Sequence, residues 1–296
     1  SRMFFQSASK SIFPPILCTQ QGDFSPMPTI LFSSPVFGPV HSRRLGLSLG
    51  VNLLPADGKL CTFDCLYCEC GLNAEHRPKS DMPSRAVVAE KLEERIRLLA
   101  REGRPVDAIT FAGNGEPTMH PDFAAIVDDT VAIRDRLAPS AKLCVLTNST
   151  NLLKPEVAAA LRRFDLPMFK LDALDADWVR RVNRPQCPYR QATLIEALRG
   201  WEGECIVQTM FLRGTVEGVS VDNTTDDFVE PWLRAVAEIR PKYVSIYSLD
   251  REASCRTLLK ADSERLLAIG ERVKALGIPV QVSVKPSEVR REKECG

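Results

Sequence analysis

The sequence predicts an α/β fold in which parallel strands form a partial or nearly closed (β/α) barrel of about six to seven strands, similar to a TIM barrel. Short apolar runs alternate along the 296-residue chain with segments whose apolar residues recur every three or four positions, as in helices. Strands that alternate with helices are joined by right-handed crossovers and therefore lie parallel. The predicted strands are 47–54, 106–111, 142–146, 168–171, 205–212, 243–247 and 278–284.

The first predicted strand, 47–54, is apolar enough to be buried on both faces, as strands of parallel sheets are. Residues 34–46, which precede it, are rich in proline and glycine, so we expect a loop there. The first helix is predicted to begin within Asp81 to Ser84 and to end at Gly103. Its apolar stripe comprises Val88, Leu92, Ile96 and Leu99.

Helices are predicted in the remaining gaps between strands. Pro155 lies in the first turn of one of them, where proline is tolerated, and Gly277 ends the last. The predicted ranges are 123–137, 155–164, 175–181, 191–199, 225–239 and 262–276.

The composition, with 44% hydrophobic and 26% charged residues, indicates an ordinary soluble globular protein. A net charge of +1 gives no sign of a broad nucleic-acid-binding surface. Ten cysteines in so long a chain, three of them at ligand spacing, favour the reducing cytoplasm. No run of 18 apolar residues predicts a membrane span. We expect an N-terminal extension, partly disordered or draped, over 1–34, a core domain over 35–284 and a charged tail over 285–296.

The chemistry is predicted to centre on Cys61, Cys65 and Cys68, which follow the first strand with the spacing C-x3-C-x2-C. Three thiolates in one loop can hold a cubic iron–sulfur cluster, and they leave one iron free to bind a small molecule, whereas four would close the cluster. The alternatives are a zinc site completed by Cys70 or His76, or buried structural thiols.

Other candidate residues concentrate at the carboxyl ends of the predicted strands, where a barrel places its chemistry. Gly113-Asn114-Gly115-Glu116-Pro117 follows the second strand, and its glycines let a ligand approach the backbone, although a structural turn is the alternative. The remaining candidates are Asn148 after the third strand, Lys170 and Asp172 on one face of the fourth, Arg184 after a short helix and Gln208 on the fifth. The alternatives for these are a solvated turn, a surface lysine and a core amide.

The cysteine spacing and the Asn-Gly-Glu-Pro turn resemble the radical S-adenosylmethionine (radical SAM) superfamily. The resemblance implies that the three cysteines ligate a catalytic [4Fe-4S] cluster whose fourth iron binds S-adenosylmethionine. It places Tyr67 near the adenine and uses the backbone of the turn and its glutamate, Glu116, to hold the methionyl amino group, although the family usually has glycine where Asn114 stands. It also implies cofactor contacts from Asn148 and Gln208. From their positions we expect Lys170 and Asp172 to form an inward-facing pair near the cofactor, and Arg184 to meet a cofactor carboxylate or a substrate phosphate.

The run Gly-Pro-Val-His-Ser-Arg-Arg-Leu-Gly and the Asn-Arg-Pro segment are most similar to the wyosine-synthetase-related group of Fe-S oxidoreductases. Those enzymes carry a second cluster from upstream cysteines, whereas only Cys18 lies upstream here. They also hold pyruvate on a lysine that has no clear counterpart in this chain. The shared mechanism implies that the reduced cluster cleaves S-adenosylmethionine into methionine and a 5′-deoxyadenosyl radical, which takes hydrogen from a substrate.

The resemblance further implies an electron donor such as flavodoxin or ferredoxin. One expected substrate is an RNA base, with phosphates contacted by arginines. These arginines are Arg43, Arg44, Arg180, Arg181 and Arg184. The alternatives are a peptide- or protein-modifying enzyme, including a glycyl-radical activase, and a non-catalytic iron–sulfur electron carrier or scaffold.

Overall fold

The computed structural model describes residues 29–42, 45–251, 253 and 255–284. The strands are β1 (Val36–Ser42), β2 (Gly46–Val51), β3 (Ala108–Phe111), β4 (Lys142–Thr147), β5 (Leu166–Lys170), β6 (Ile206–Met210), β7 (Leu212–Val216), β8 (Val219–Ser220), β9 (Tyr243–Tyr247), β10 (Leu258–Lys260) and β11 (Val280–Val282). The helices are α1 (Arg85–Arg101), α2 (Phe123–Leu137), α3 (Pro155–Leu161), α4 (Ala176–Trp178), α5 (Gln191–Arg199), α6 (Asp226–Ile239) and α7 (Ser263–Ala275).

The main sheet has eight strands in the order β1-β2-β3-β4-β5-β6-β9-β11. The seven strands from β2 to β11 run parallel to their neighbours, and β1 pairs antiparallel with β2 at one edge. Within the part of the chain that the structure describes, the two end strands do not pair with each other, so the sheet is not a closed barrel. The predicted α/β fold with a partial parallel barrel is therefore confirmed.

The prediction of a loop over 34–46 is wrong for the strand β1. The composition misled because Pro39 and Gly38 are typical of turns. In the structure the register shifts between Phe37 and Val40, so Pro39 lies at an irregularity of an edge strand. Proline is tolerated there because its missing N–H group interrupts no central ladder.

The predicted strand 205–212 is divided in the structure. β6 ends at Met210, and β7 begins at Leu212 as the centre of a second, antiparallel sheet with the order β10-β7-β8. The sequence did not predict this sheet because β8 and β10 span only two and three residues. Runs that short show no alternation of apolar and polar positions.

Six of the described helices, α1, α2, α3, α5, α6 and α7, pack on one face of the main sheet. In α1, Ser84 caps the N-terminus by accepting a hydrogen bond from the Val87 backbone, and the four residues of the predicted apolar stripe are buried. They pack with alternate strand residues such as Leu49, Phe111 and Val145 in the main hydrophobic core. This layer leaves the opposite face of the sheet for the site.

The predicted helix 175–181 is α-helical in its first part and π-helical in its second. α4 is continued by a π-helical turn, Val179–Asn183, which ends at Arg184 with φ of 50°. Such turns are often found at functional sites, and this one carries Asn183 to the cysteine loop.

Two predicted segments, 1–28 of the N-terminal extension and the tail 285–296, lie outside the described residues. The described end of the extension contacts the core, where the Ile30 backbone N–H donates to the carbonyl of Glu69 at 2.9 Å. Among the described helices, none has both the length and the apolar character needed to cross a lipid bilayer.

Candidate active site

The cysteine loop, residues 59–71, lies against the turn that follows β3. The Leu60 backbone N–H donates to the Asn114 carbonyl at 2.9 Å, and the Glu116 backbone N–H donates to the Leu60 carbonyl at 3.2 Å. Gly115 makes this approach possible. Its φ is +144°, and a Cβ atom there would lie 1.8 Å from the Leu60 carbonyl oxygen.

The other side of the loop pairs with the chain that leaves the π-helical turn. The Asp64 N–H donates to the Asn183 carbonyl at 3.0 Å, and the Leu66 N–H donates to the Val182 carbonyl at 2.9 Å. Phe63 forms a bridge with Pro185. Two segments that both follow the loop in sequence, 114–116 and 182–185, thus hold it in place, which fixes the three cysteines at the carboxyl ends of the parallel strands.

The three cysteine thiols are free of disulfides, with Cys65 buried and the other two partly exposed. Side-chain amides reach two of the sulfur atoms: Asn148 Nδ2 lies 3.6 Å from Cys61 Sγ, and Asn183 Nδ2 lies 3.6 Å from Cys65 Sγ. Burial raises the pKa of Cys61 and Cys65. The neighbouring thiol of Cys70 lowers the pKa of Cys68 to about 6 by hydrogen bonding, with a further contribution from Lys59.

These side chains suit a cluster with several irons. Over the described ranges, no three His, Cys, Asp or Glu side chains come close enough together to hold a single metal ion. A cubic cluster has no such requirement, because each thiolate binds a different iron atom. Amide donors to ligand sulfurs are also a known means of tuning such clusters. Cys61, Cys65 and Cys68 can therefore hold a [4Fe-4S] cluster.

A buried ion pair that the sequence prediction does not include lies inside the loop. Lys59 Nζ is 3.3 Å from Asp64 Oδ1, and their side chains are 1% and 7% exposed. Burial alone would lower the pKa of Lys59, but the nearby Cys68 and Asp64 more than offset that effect, so the pKa is raised. A single lysine beside a cysteine motif shows neither periodicity nor ligand spacing, so nothing in the sequence indicated its position.

Lys170 and Asp172 form the inward-facing pair that the sequence predicted. Lys170 Nζ lies 3.2 Å from Asp172 Oδ2 and donates to the Tyr67 hydroxyl at 2.7 Å. The Tyr67 hydroxyl in turn donates to Asp172. Asn183 Nδ2 contacts both the Tyr67 hydroxyl at 3.0 Å and Asp172 Oδ2 at 2.9 Å. This network joins β5, the cysteine loop and the π-helical turn.

The charges within this network stabilise one another. Burial alone would lower the pKa of Lys170, but the carboxylate of Asp172 reverses this and raises it. Burial, followed by the same carboxylate, raises the pKa of Tyr67. The lysine is therefore held as an ammonium ion and the tyrosine as a neutral phenol.

Glu116 is buried and engaged by the protein itself. Its Oε1 accepts hydrogen bonds from the Thr118 and Thr147 hydroxyls at 2.6 and 2.7 Å, and its Oε2 accepts one from the Asn148 backbone at 2.7 Å. The carboxylate thereby joins the ends of β3 and β4. Pro117 follows it as the first residue of a short 3₁₀ turn.

The remaining predicted residues lie around this centre. Gly113 has φ of +147°, and a Cβ atom there would lie 2.5 Å from Asn52 Oδ1. The Asn114 side chain is fully buried and bonds to the carbonyls of Phe32 and Pro55 at 3.0 and 2.8 Å. The protein itself therefore engages that side chain, and the contact of Asn114 with a cofactor stays a prediction.

Arg184 lies beside the cysteine loop, and Gln208 lies on the main sheet. Arg184 Nη2 lies 3.9 Å from Asp64 Oδ2, and its side chain is 26% exposed. Gln208 is in register with Lys170 on β5 and Ser245 on β9, so these three side chains share one face of the sheet. The structure brings Gln208 to the network's side of the sheet, and its contact with a cofactor stays a prediction.

Residues 57–219 match the sequence profile of the radical SAM superfamily. The chain belongs to this superfamily, whose members bind a [4Fe-4S] cluster and S-adenosylmethionine and are enzymes. It is 31% identical over 71% of its length to a UPF0026 protein of Synechocystis sp., of which it covers 74%, and it belongs to that family as well. A UPF0026 protein of Helicobacter pylori is 29% identical over 78% of this chain and 71% of its own length.

Solved structures of low sequence identity share the fold. A radical SAM methyltransferase from Sphaerobacter thermophilus has a TM-score of 0.60 at 18% identity, over 80% of this chain and 65% of its own. Streptococcus suis SuiB bound to the precursor peptide SuiA has a TM-score of 0.58 at 14% identity, over 82% and 51%. TYW1 with a lysine-pyruvate adduct has a TM-score of 0.53 at 14% identity, over 77% and 73%. The chain spans less than two thirds of the length of the first two. The family match over residues 57–219 confirms the predicted superfamily.

Proposed function

We propose that this protein cleaves S-adenosylmethionine reductively and uses the 5′-deoxyadenosyl radical to remove a hydrogen atom from a substrate. The observation that supports this best is the assembly at one end of the sheet of the cysteine loop, the 113–117 turn, Asn148 and the network around Asp172. These elements come from four different strand ends. Such convergence is expected for an active site at the carboxyl ends of barrel strands, whereas an electron carrier does not need it.

Cys61, Cys65 and Cys68 would hold the cluster, which, when bound and reduced, supplies the electron that breaks the carbon–sulfur bond of S-adenosylmethionine. Asn148 and Asn183 orient two of the thiolates by donating amide hydrogens. Backbone hydrogen bonds to the turn after β3 and to the π-helical turn keep the loop in a fixed position.

The network around Asp172 positions Tyr67. The hydroxyl of this tyrosine is held by three side chains, and Lys170 Nζ lies 5.0 Å from the centre of its ring. A ring fixed at its edge presents a rigid flat face, which suits stacking with a purine base. We therefore assign Tyr67 to the adenine end of S-adenosylmethionine.

The 113–117 turn is assigned to the methionyl end through its backbone. Because the Glu116 carboxylate already receives donors from Thr118, Thr147 and Asn148, we assign contact with the amino group to main-chain carbonyls of the turn. Glu116 then acts by holding the turn against β4.

The proposed cleavage of S-adenosylmethionine is tested under anaerobic conditions. After reconstitution of the cluster, dithionite and S-adenosylmethionine are added and 5′-deoxyadenosine is measured, with Cys65→Ala as the inactive variant and Cys205→Ala as its control. Cys205 is buried in the main core, away from the loop. We expect product from the wild type and from Cys205→Ala, and none from Cys65→Ala. A wild type that holds a [4Fe-4S] cluster but releases no 5′-deoxyadenosine would contradict the proposal and favour the carrier or scaffold alternative.

The predicted substrate classes are an RNA base and a peptide. Of the five arginines predicted to contact phosphates, Arg43 and Arg44 lie outside the described residues. The other three, Arg180, Arg181 and Arg184, each face a carboxylate, at 2.8, 3.6 and 3.9 Å. These pairings reduce the support for a phosphate-binding patch. Binding of tRNA that weakens linearly with the logarithm of salt concentration would support the RNA class, and capture of a protein partner without RNA affinity would support the peptide class.

We also propose that the electron donor is a flavodoxin or a ferredoxin and that the protein works in the cytoplasm. The eight cysteines of the described residues are all free thiols, as expected in a reducing compartment. Replacing dithionite by a reduced flavodoxin in the same assay tests the donor.

A further inference from the structure

The buried ammonium of Lys59 lies where the two ends of the cysteine loop meet. Its Nζ donates to the Gly71 carbonyl at 2.7 Å, and so joins the two ends of the segment that contains all three cysteines. The side chain is 1% exposed, which places a cation out of water within the loop that carries the three thiols. A buried cation is costly unless anions surround it.

Among the described residues, the carboxylate that pairs with Lys59 is shared with a second cation. Asp64 is its carboxylate partner, but that carboxylate is also approached by Arg184 at 3.9 Å and by the Asn73 backbone N–H at 2.8 Å. Two cations thus share one carboxylate. Lys170, which donates to Tyr67 of the same loop, has Asp172 as its own partner.

We infer that Lys59 is a positioning residue whose ammonium is the counter-charge of the iron–sulfur cluster and raises the reduction potential of that cluster. Three thiolates outweigh the charge of the iron–sulfur core, so the bound cluster is an anion, and reduction adds one more negative charge. A fixed cation nearby stabilises the reduced form more than the oxidised form, because net charge and burial set the potential of such clusters. This inference rests on the cluster of the proposed function, but not on cleavage of S-adenosylmethionine.

The test compares charge variants of the reconstituted protein by iron analysis and by redox titration followed with electron paramagnetic resonance. Lys59→Met removes the charge and keeps an unbranched chain. Asp64→Asn removes the competing carboxylate. Lys142→Met is the control, because Lys142 is the first residue of β4, at the end of the strand opposite the site, and its side chain is 63% exposed.

At a fixed potential we expect the ratio of reduced to oxidised cluster to fall by about tenfold in Lys59→Met, which corresponds to about 59 mV for a one-electron couple. The ratio should rise in Asp64→Asn and stay unchanged in Lys142→Met. A ratio in Lys59→Met equal to that of the wild type, at full iron content, would overturn the inference, and so would an unchanged ratio in Asp64→Asn.

Lys59→Arg covers the case in which Lys59→Met fails to hold iron. Retention of iron by Lys59→Arg, with loss in Lys59→Met, supports the need for a positive charge. Equal loss of iron in both variants would show that the shape of the lysine matters and not its charge, and would overturn the assignment. Because neither readout is turnover, failure here is distinct from failure of the 5′-deoxyadenosine assay.

Discussion

The side-chain amide of Asn114 binds both hydrogen-bonding groups of the Phe32 backbone. Its Oδ1 accepts from the Phe32 N–H at 2.9 Å, and its Nδ2 donates to the Phe32 carbonyl at 3.0 Å. In the superfamily this position is usually glycine, which has no side chain with which to make these bonds. The asparagine therefore fastens the chain before β1 to the turn of the site.

Asn114→Gly should release this segment. Phe32 and the Pro55 carbonyl would each lose a partner, and leaving buried polar groups unpaired costs about 1–3 kcal/mol of the free energy of unfolding. We expect faster amide hydrogen exchange at Phe32. Asn114→Ala is the matched variant, since it removes the same bonds without adding backbone freedom. Unchanged exchange at Phe32 in both variants would show that the amide does not hold the segment.

Gly115→Ala should damage both stability and cluster loading. The new methyl group would lie 1.8 Å from the Leu60 carbonyl oxygen, so the cysteine loop must move. Gly203→Ala is the control, because Gly203 also has a positive φ, +70°, but a methyl group added there would meet nothing within 4 Å beyond its own chain neighbours. We expect a loss of about 1–2 kcal/mol for Gly203→Ala and about 3 kcal/mol or more for Gly115→Ala in urea unfolding. Equal losses would mean that the loop does not depend on this approach.

Replacing Asp172 should cost more of the free energy of unfolding than replacing Lys170. Asp172 also accepts bonds from Tyr67, from Asn183 and from the Met210 backbone, so Asp172→Leu leaves a buried cation and several donors without a partner. We expect a loss of about 3 kcal/mol or more for Asp172→Leu and about 1 kcal/mol for Lys170→Met, measured by denaturant unfolding. A larger loss for Lys170→Met would contradict this assignment of the network's centre.

The contact between α1 and α2 should weaken in acid through Glu93. Hydrogen bonds from Arg136 and Arg97, at 2.6 and 2.7 Å, lower the pKa of Glu93 to about 2, from 4.5. Because the folded-state pKa is the lower one, the stabilisation is present above pH 4.5 and is lost as the pH falls toward 2. The wild type should therefore lose slightly more stability than Glu93→Gln between about pH 5 and about pH 3 in thermal unfolding. Parallel curves for the two proteins would refute this.

Regular, periodic elements were predictable from the sequence because their signals are local. The stripe of α1 repeats with the helical period over Val88, Leu92, Ile96 and Leu99, and each of the four is buried. The seven parallel strands were also predictable from local sequence, because each is a short, mostly apolar run. β1 was not predicted, because the local turn preference of Pro39 is overridden by pairing with β2, which is a tertiary contact.

The candidate site was predictable where spacing itself carries the chemistry, as in the three cysteines and the Lys170–Asp172 pair. The position of Lys59 and the partners of Asn114 depend on chains that meet only after folding. Glu116 lay in a recognised turn, but its hydrogen bonds to Thr147 and Asn148 are contacts across more than 30 residues of sequence. No local pattern contains such information.

An incomplete barrel has two sheet edges, and this protein limits how each can pair with another copy of itself. On β1, Pro39 has no N–H group to offer an incoming strand, and the Gly38 carbonyl is already bound by Arg95 Nη2 at 2.7 Å. On β11, a strand of three residues gives little length for pairing. The described sheet can therefore remain unclosed without inviting edge-to-edge aggregation.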